Sequence, residues 1–177
     1  MARPFLSQKL APFGTTIFSE MTKLALEHEA INLSQGFPDF DGPPELIDEV
    51  SRAMREGYNQ YARSMGHPIL VTALAERQRK LYGQSYAPME EVVVTSGATE
   101  TIASALLGLV SPGDEVILIE PYYDSYPACL AMAGATPKHL TLRFPDFSLD
   151  PAALEALVSD RTRVILMNSP HNPTGHV

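Results

Sequence analysis

The chain has 177 residues, 45% of them hydrophobic and 19% charged, with a formal net charge of −8 at neutral pH. That balance describes a globular chain able to bury one core, and the acidic excess argues against a nucleic-acid partner, whose readers present a basic face. Its single cysteine, Cys129, rules out an intramolecular disulfide and reads as a small packed hydrophobe in a reducing, cytoplasmic setting.

Around Arg3 and Lys9 the apolar residues are too few for a signal-peptide core. Residues 1–44 read as an N-terminal arm: a helix over 17–29, a short strand at Ile31-Asn32-Leu33, then the turn-rich "QGFPDFDGPP". A helix follows from Glu45 to Glu56, with Leu46, Val50, Ala53 and Met54 on one face. The next runs from Pro68 to Tyr82, where Leu70, Leu74 and Leu81 recur at helical spacing and Pro68 suits the first turn.

Beyond these the pattern alternates. Strands are predicted at 92–94, 116–119, 138–142 and 164–167, separated by helices at 99–110, 126–133 and 151–158. The most apolar helical stretch, Ile102 to Val110, is interrupted by Ser104 and stops at Ser111-Pro112-Gly113, well short of a membrane span. Short Val/Ile/Leu strands alternating with amphipathic helices predict an α/β fold with a mostly parallel sheet covered on both faces. Ligands of such sheets sit at the carboxyl ends of the strands, so the residues just after each strand carry the functional information.

After the first strand, "TSGAT" opens a helix. Free N–H groups at a helix start and the positive end of its dipole favour an anion, and Gly97 and Ala98 leave room for a phosphate. A capping role for Thr95 or Ser96 accounts for the same residues. After the second strand, "EPYYDSY" offers Tyr123 as a ring to lie against a planar heteroaromatic; packing of the helix on the sheet is the plainer reading. After the third, "NSPHNPTG" holds Asn172 between two prolines, which fix a side-chain amide able to donate to an oxygen, or simply shape a surface turn. A phosphate cradle, a stacking ring and a hydroxyl partner together match a phosphorylated pyridine.

The segments "LSQGFPDF" (33–40), "YNQYARSMGHP" (58–68), "VTSGATE" (94–100), "GDEVILIEPYYDSY" (113–126) and "SPHNPTG" (169–175) resemble, in order and spacing, the class I pyridoxal-phosphate-dependent aminotransferases of fold type I. The likeness is greatest to the branch containing kynurenine, glutamine and methionine aminotransferases. It implies a three-layer fold type I large domain, incomplete here, over residues 45–177, preceded by the arm and the start of a small domain over 1–44. The cofactor would be pyridoxal 5'-phosphate, its phosphate held by the backbone at Ala98 and Thr99 with Gly97 leaving space, its ring stacked on Tyr123 and its ring hydroxyl met by Asn172. The resemblance also makes Ser169-Pro170 and Asn172-Pro173 candidate cis peptides. It gives Tyr61 a reach across a homodimer interface to the neighbouring subunit's phosphate, Gly36 a backbone contact to the substrate carboxylate, and Phe18 a place in the side-chain pocket.

The implied activity is transfer of an amino group between an amino acid and a 2-oxo acid, with no nucleic-acid or membrane partner. A carbon–sulfur β-lyase on the same fold, or a non-catalytic sensor-like module, are the alternatives. The family's cofactor-binding lysine lies in a Ser-x-Ser/Thr-Lys segment, and none of Lys9, Lys23, Lys80 and Lys138 follows that pattern. The expectation is therefore the front portion of a longer enzyme, inactive alone.

Overall fold

The computed structural model describes residues 7–177. They form two compact units, one of Ile17–Thr95 and one of residues 7–16 with Ser96–Val177.

The first unit is helical: α1 (Ile17–Glu27), α2 (Pro44–Arg55), α3 (Pro68–Tyr82) and a single turn, α4 (Pro88–Glu91). Proline opens α2, α3 and α4, where its fixed φ suits the helix and its missing N–H costs nothing. The ends of α3 are set by chemistry on both sides. His67 accepts from the Ile69 N–H at 3.3 Å, and Gly83 closes the helix in the left-handed conformation with φ 69°.

The buried face of α3 is not the leucine stripe that its sequence favours. Val71 and Ala75 are buried, whereas Leu70, Leu74 and Leu81 are exposed. A close backbone approach selects that face: a Cβ on Gly66 would lie 2.8 Å from Val94 Cγ2 and 3.0 Å from Val71 Cγ1. The Val94 N–H also donates to the Met65 carbonyl at 3.1 Å. On α2 the predicted apolar residues Leu46, Val50 and Met54 are likewise exposed, and Arg52 bridges Glu49 of the helix and Glu56 at its C-cap, each at 2.5 Å.

Two predicted strands in this unit do not form. At Ile31–Leu33 the Asn32 carboxamide oxygen accepts from the Ser34 N–H at 3.0 Å and from its hydroxyl at 2.6 Å, a local turn that competes with extended pairing. Val92 is extended, with φ −116° and ψ 125°, but Val92–Val94 pairs with no strand among the described residues, and Val93 remains 57% exposed. A β-propensity without a ladder partner gives extended chain, not sheet.

The second unit holds a parallel sheet in the order β2-β1-β3, made of β1 (Glu115–Glu120), β2 (Thr136–Thr141) and β3 (Thr162–Leu166). Side chains alternate across β1. Val116 and Leu118 face a core shared with α5 (Ala98–Leu109) and α6 (Ser125–Ala133), with Leu106, Cys129 and Leu130 also buried there. Ile117 and Ile119 face the opposite core, with Leu140, Leu142 and the apolar side of α7 (Pro151–Leu157). The result is three layers, helix on sheet on helix. The chain passes from β1 to β2 through α6 on one face and from β2 to β3 through α7 on the other, as a single crossover handedness requires when the direction of travel reverses.

The amino edge of the sheet is fixed by a buried carboxylate. Glu115, 1% exposed, accepts from Ser159 Oγ at 2.8 Å and from Arg161 at 3.0 and 2.5 Å, with Lys138 at 3.7 Å. The Ser159 hydroxyl and the Arg161 guanidinium hold its pKa below the usual carboxylate range, against the opposing effect of burial. Cys129 is buried as read from the sequence, and burial pushes its thiol up, away from reactivity. No helix among the described residues is long and apolar enough to cross a membrane.

Candidate cofactor site

Because β1 and β3 are parallel neighbours, the segments that follow them emerge at one edge of the sheet. The direction of α5 brings a third element there. Arg163 Nε, at the start of β3, donates to the carbonyl of Leu109, the last residue of α5, at 3.0 Å. From that pin α5 lies along β3, sharing with it an apolar groove that includes Ile102, Ala105, Leu106, Val164 and Leu166. A helix of 12 residues is about 18 Å long and a strand of five about 16 Å, so the first turn of α5 is level with the carboxyl end of β3. Thr99, Tyr123 and Asn172 therefore belong to the same edge.

At α5 the cap residue is Gly97, with φ 87° and ψ 166°. The Ser96 N–H is taken by the Glu100 carboxylate, while Ala98 and Thr99 are exposed in the first turn, where helix geometry leaves N–H groups without intrahelical acceptors. Such a start suits an anion. A Cβ on Gly97 would meet nothing within 4 Å; what demands glycine is the backbone conformation, which other residues adopt only with strain.

Tyr123 follows β1 through the cis peptide Glu120-Pro121. Its ring is half-buried and meets Tyr126 edge-on, centroids 5.9 Å apart and planes at 77°. Tyr126 in turn touches Tyr122 at 6.5 Å, and Tyr122 lies against His139 at 5.8 Å. Burial pushes the Tyr126 phenol up, with Tyr123 adding to the effect; burial does the same to Tyr122, with the Glu120 carboxylate contributing. Glu120 is tied to β2, accepting from Thr141 Oγ1 at 2.5 Å with His139 Nδ1 at 3.2 Å.

After β3, Ser169-Pro170 and Asn172-Pro173 are both cis, as the resemblance implies. The Asn172 N–H donates to Asn168 Oδ1 at 2.7 Å, and the side-chain amide of Asn172 is exposed, with no hydrogen-bond partner among the described residues. His171 is the buried plug of the loop. Its Nδ1 lies 2.8 Å from Thr174 Oγ1, its N–H donates to the His176 carbonyl at 2.7 Å and its carbonyl accepts from Gly175 at 2.6 Å. Asn168 and His171 are supporting residues within the stretch that the sequence marks as informative, though their individual roles come only from these bonds.

The remaining expected site residues, Phe18, Gly36 and Tyr61, lie in the helical unit and are described there alone. Phe18 is half-buried on α1, Tyr61 is fully exposed, and Gly36 is exposed, with nothing within 4 Å of a Cβ built on it. In the sheet unit the two lysines are at the opposite edge from the site: Lys138 beside Glu115, and Lys9 donating to the Met132 carbonyl near the end of α6 at 3.2 Å. No group of three or more His, Cys, Asp or Glu among the described residues could hold a metal ion.

The family described as aminotransferase class I and II matches residues 28–177. The chain is 51% identical to a probable N-succinyldiaminopimelate aminotransferase DapC of Mycobacterium tuberculosis over 96% of its own length and 43% of the relative's. It is 45% identical to a methionine aminotransferase of Escherichia coli, covering 98% of this chain and 45% of that one. Solved structures agree: the M. tuberculosis N-succinyldiaminopimelate aminotransferase superposes with a TM-score of 0.90 at 49% identity, over 96% of this chain and 44% of that chain. The E. coli YbdL methionine aminotransferase gives 0.91 at 45% identity, over 97% and 45%. The chain thus spans somewhat under half the length of these relatives, which are aminotransferases of fold type I. With a match over more than four-fifths of its residues, the chain belongs to the class I and II aminotransferases.

Proposed function

We propose that this chain supplies part of the cofactor site of an enzyme that transfers an amino group between an amino acid and a 2-oxo acid, using pyridoxal 5'-phosphate. The observation that carries the reading is the α5 start, where Ala98 and Thr99 lie exposed in the first turn behind the Gly97 cap, at the edge that also carries Tyr123 and Asn172. The residues fit the group. Ala98 and Thr99 N–H groups would hold the phosphate, Gly97 would keep the approach clear, the Tyr123 ring would lie against the pyridine, and the free Asn172 amide would donate to the ring hydroxyl. When bound, pyridoxal phosphate acts as an electron sink for the substrate's alpha carbon.

This chain's part in that chemistry is binding and orientation. The α5 dipole and first-turn N–H groups oppose the phosphate's charge, Tyr123 restricts tilt, and Asn172 fixes the ring in its plane. The family's lysine, which holds the cofactor and moves the proton, is matched by none of the chain's four lysines; the reading assigns it to the part of the relatives that lies outside the match. Tyr61 would reach the phosphate of the other subunit in a homodimer, and its full exposure supports that role. Gly36 and Phe18 would meet the substrate carboxylate and side chain.

Equilibrium dialysis of the chain against pyridoxal 5'-phosphate, with inorganic phosphate as competitor, tests the reading. Saturable binding that phosphate competes for, and that Tyr123→Leu and Asn172→Ala each weaken, is expected. Binding untouched by both substitutions overturns it.

A further inference from the structure

The ring of Tyr123 is half-buried beside a largely buried partner, and that partner's orientation is itself constrained. Tyr126 is 7% exposed, set in the α5/α6 core with Leu106, Cys129 and Leu130. It presents to Tyr123 a near-perpendicular contact at 5.9 Å and 77°, an arrangement favoured by the ring quadrupoles. It also meets Tyr122 at 6.5 Å, and Tyr122 rests on His139 at 5.8 Å. His139 faces Glu120, and Glu120 is bonded to Thr141 of β2. The row therefore ties Tyr123 to the carboxyl ends of β1 and β2.

We propose that Tyr126 is a positioning residue that sets the plane of the Tyr123 ring for stacking on the cofactor. The proposal rests on the cofactor reading above. Rotation of Tyr123 about its Cβ–Cγ bond works against the near-perpendicular contact with Tyr126, and Tyr126 is itself held by the buried residues of the α5/α6 core. Only the ring of Tyr126 is needed. Its hydroxyl makes no hydrogen bond among the described residues.

Two measurements on the full chain separate this inference from the reading beneath it. The first needs no cofactor: the ring-flip rate of Tyr123, followed by NMR with ring-labelled tyrosine, rises at least tenfold in Tyr126→Leu and stays near wild type in Tyr126→Phe. The second is the dissociation constant for pyridoxal 5'-phosphate by equilibrium dialysis. It weakens about three- to tenfold in Tyr126→Leu, is restored in Tyr126→Phe, and changes less than twofold when the same substitution is made in a Tyr123→Leu background. Should Tyr126→Leu fail to fold, Tyr126→Met fills the volume and carries both tests. An unchanged ring-flip rate overturns the inference, and so does an equal loss of affinity in the Tyr123→Leu background. A ring-flip rate raised in Tyr126→Leu, with no pyridoxal phosphate bound by the wild-type chain, sinks the cofactor reading and with it the purpose assigned to Tyr126, while leaving the contact itself measured.

Discussion

Arg163 Nε and the Leu109 carbonyl are 54 residues apart in sequence and 3.0 Å apart in space. The bond satisfies one of the carbonyls that a helix end leaves open, and it ties the end of α5 to the beginning of β3. A helix anchored there and lying along the strand must present its opposite end at the strand's carboxyl terminus. The direction of α5, and so the proposed phosphate cradle, follows from this bond and the groove.

Gly97→Ala is expected to destabilise the chain by about 1–3 kcal/mol, because φ 87° with ψ 166° is a region that other residues avoid. With no atom within 4 Å of the new Cβ, steric contact adds nothing. Relief of the strain by a change of backbone angle would turn the first-turn N–H groups, so phosphate binding should weaken as well. Urea unfolding and equilibrium dialysis of inorganic phosphate check the two effects.

At Gly66 the cause is different. Here a Cβ would sit 2.8 Å from Val94 Cγ2 in addition to a φ of 117°, and overpacking joins strain for a loss of about 2–5 kcal/mol in Gly66→Ala. Adding Val94→Ala removes the methyl groups but leaves the 3.1 Å contact to Val94 Cβ, so recovery should be partial. Thermal unfolding of the three variants would show it; full recovery would mean the backbone tolerates the left-handed angle.

For Glu115 the folded pKa lies below that of the unfolded chain, about 4.3. A depressed carboxylate contributes stability that is fully present above the unfolded value and is lost as pH falls through the folded one. Glu115→Gln should therefore lower the urea midpoint at neutral pH, and the gap from wild type should close as both are acidified below pH 4. A gap constant with pH would assign the effect to packing rather than to charge.

Asn168 and Asn172 should separate support from contact. Asn168→Ala removes the acceptor of the Asn172 N–H, bonded at 2.7 Å, and is expected to cost about 1 kcal/mol of stability. Asn172→Ala touches an exposed amide with no internal partner, so stability should move by less than about 0.5 kcal/mol while pyridoxal phosphate affinity falls by roughly tenfold. Paired unfolding and dialysis measurements distinguish the two.

Much of this was legible in the sequence where the cause is local. The start of α3 at Pro68 is written in its first-turn proline, and β1 and β3 are written in short Val/Ile/Leu runs. What was not legible depends on partners distant along the chain. Val92–Val94 has strand composition but no ladder among the described residues. The buried face of α3 is decided by the approach of Gly66 and Val94 rather than by its own leucines. At the site, residue types pointed to Gly97, Tyr123 and Asn172. The roles of Asn168, His171 and Tyr126 appear only once the bonds and ring planes around them are known.

The two ends of β1 carry separate charge systems, Glu115 with Arg161 at one and Glu120 with His139 at the other. Six residues of strand put them about 17 Å apart, and the Glu115 charge is offset on the spot by Arg161 and Lys138. An engineer could thus rework the salt bridges at the Glu115 end to harden the scaffold against heat or acid, and the potential felt by a dianion resting on α5 would scarcely register the change.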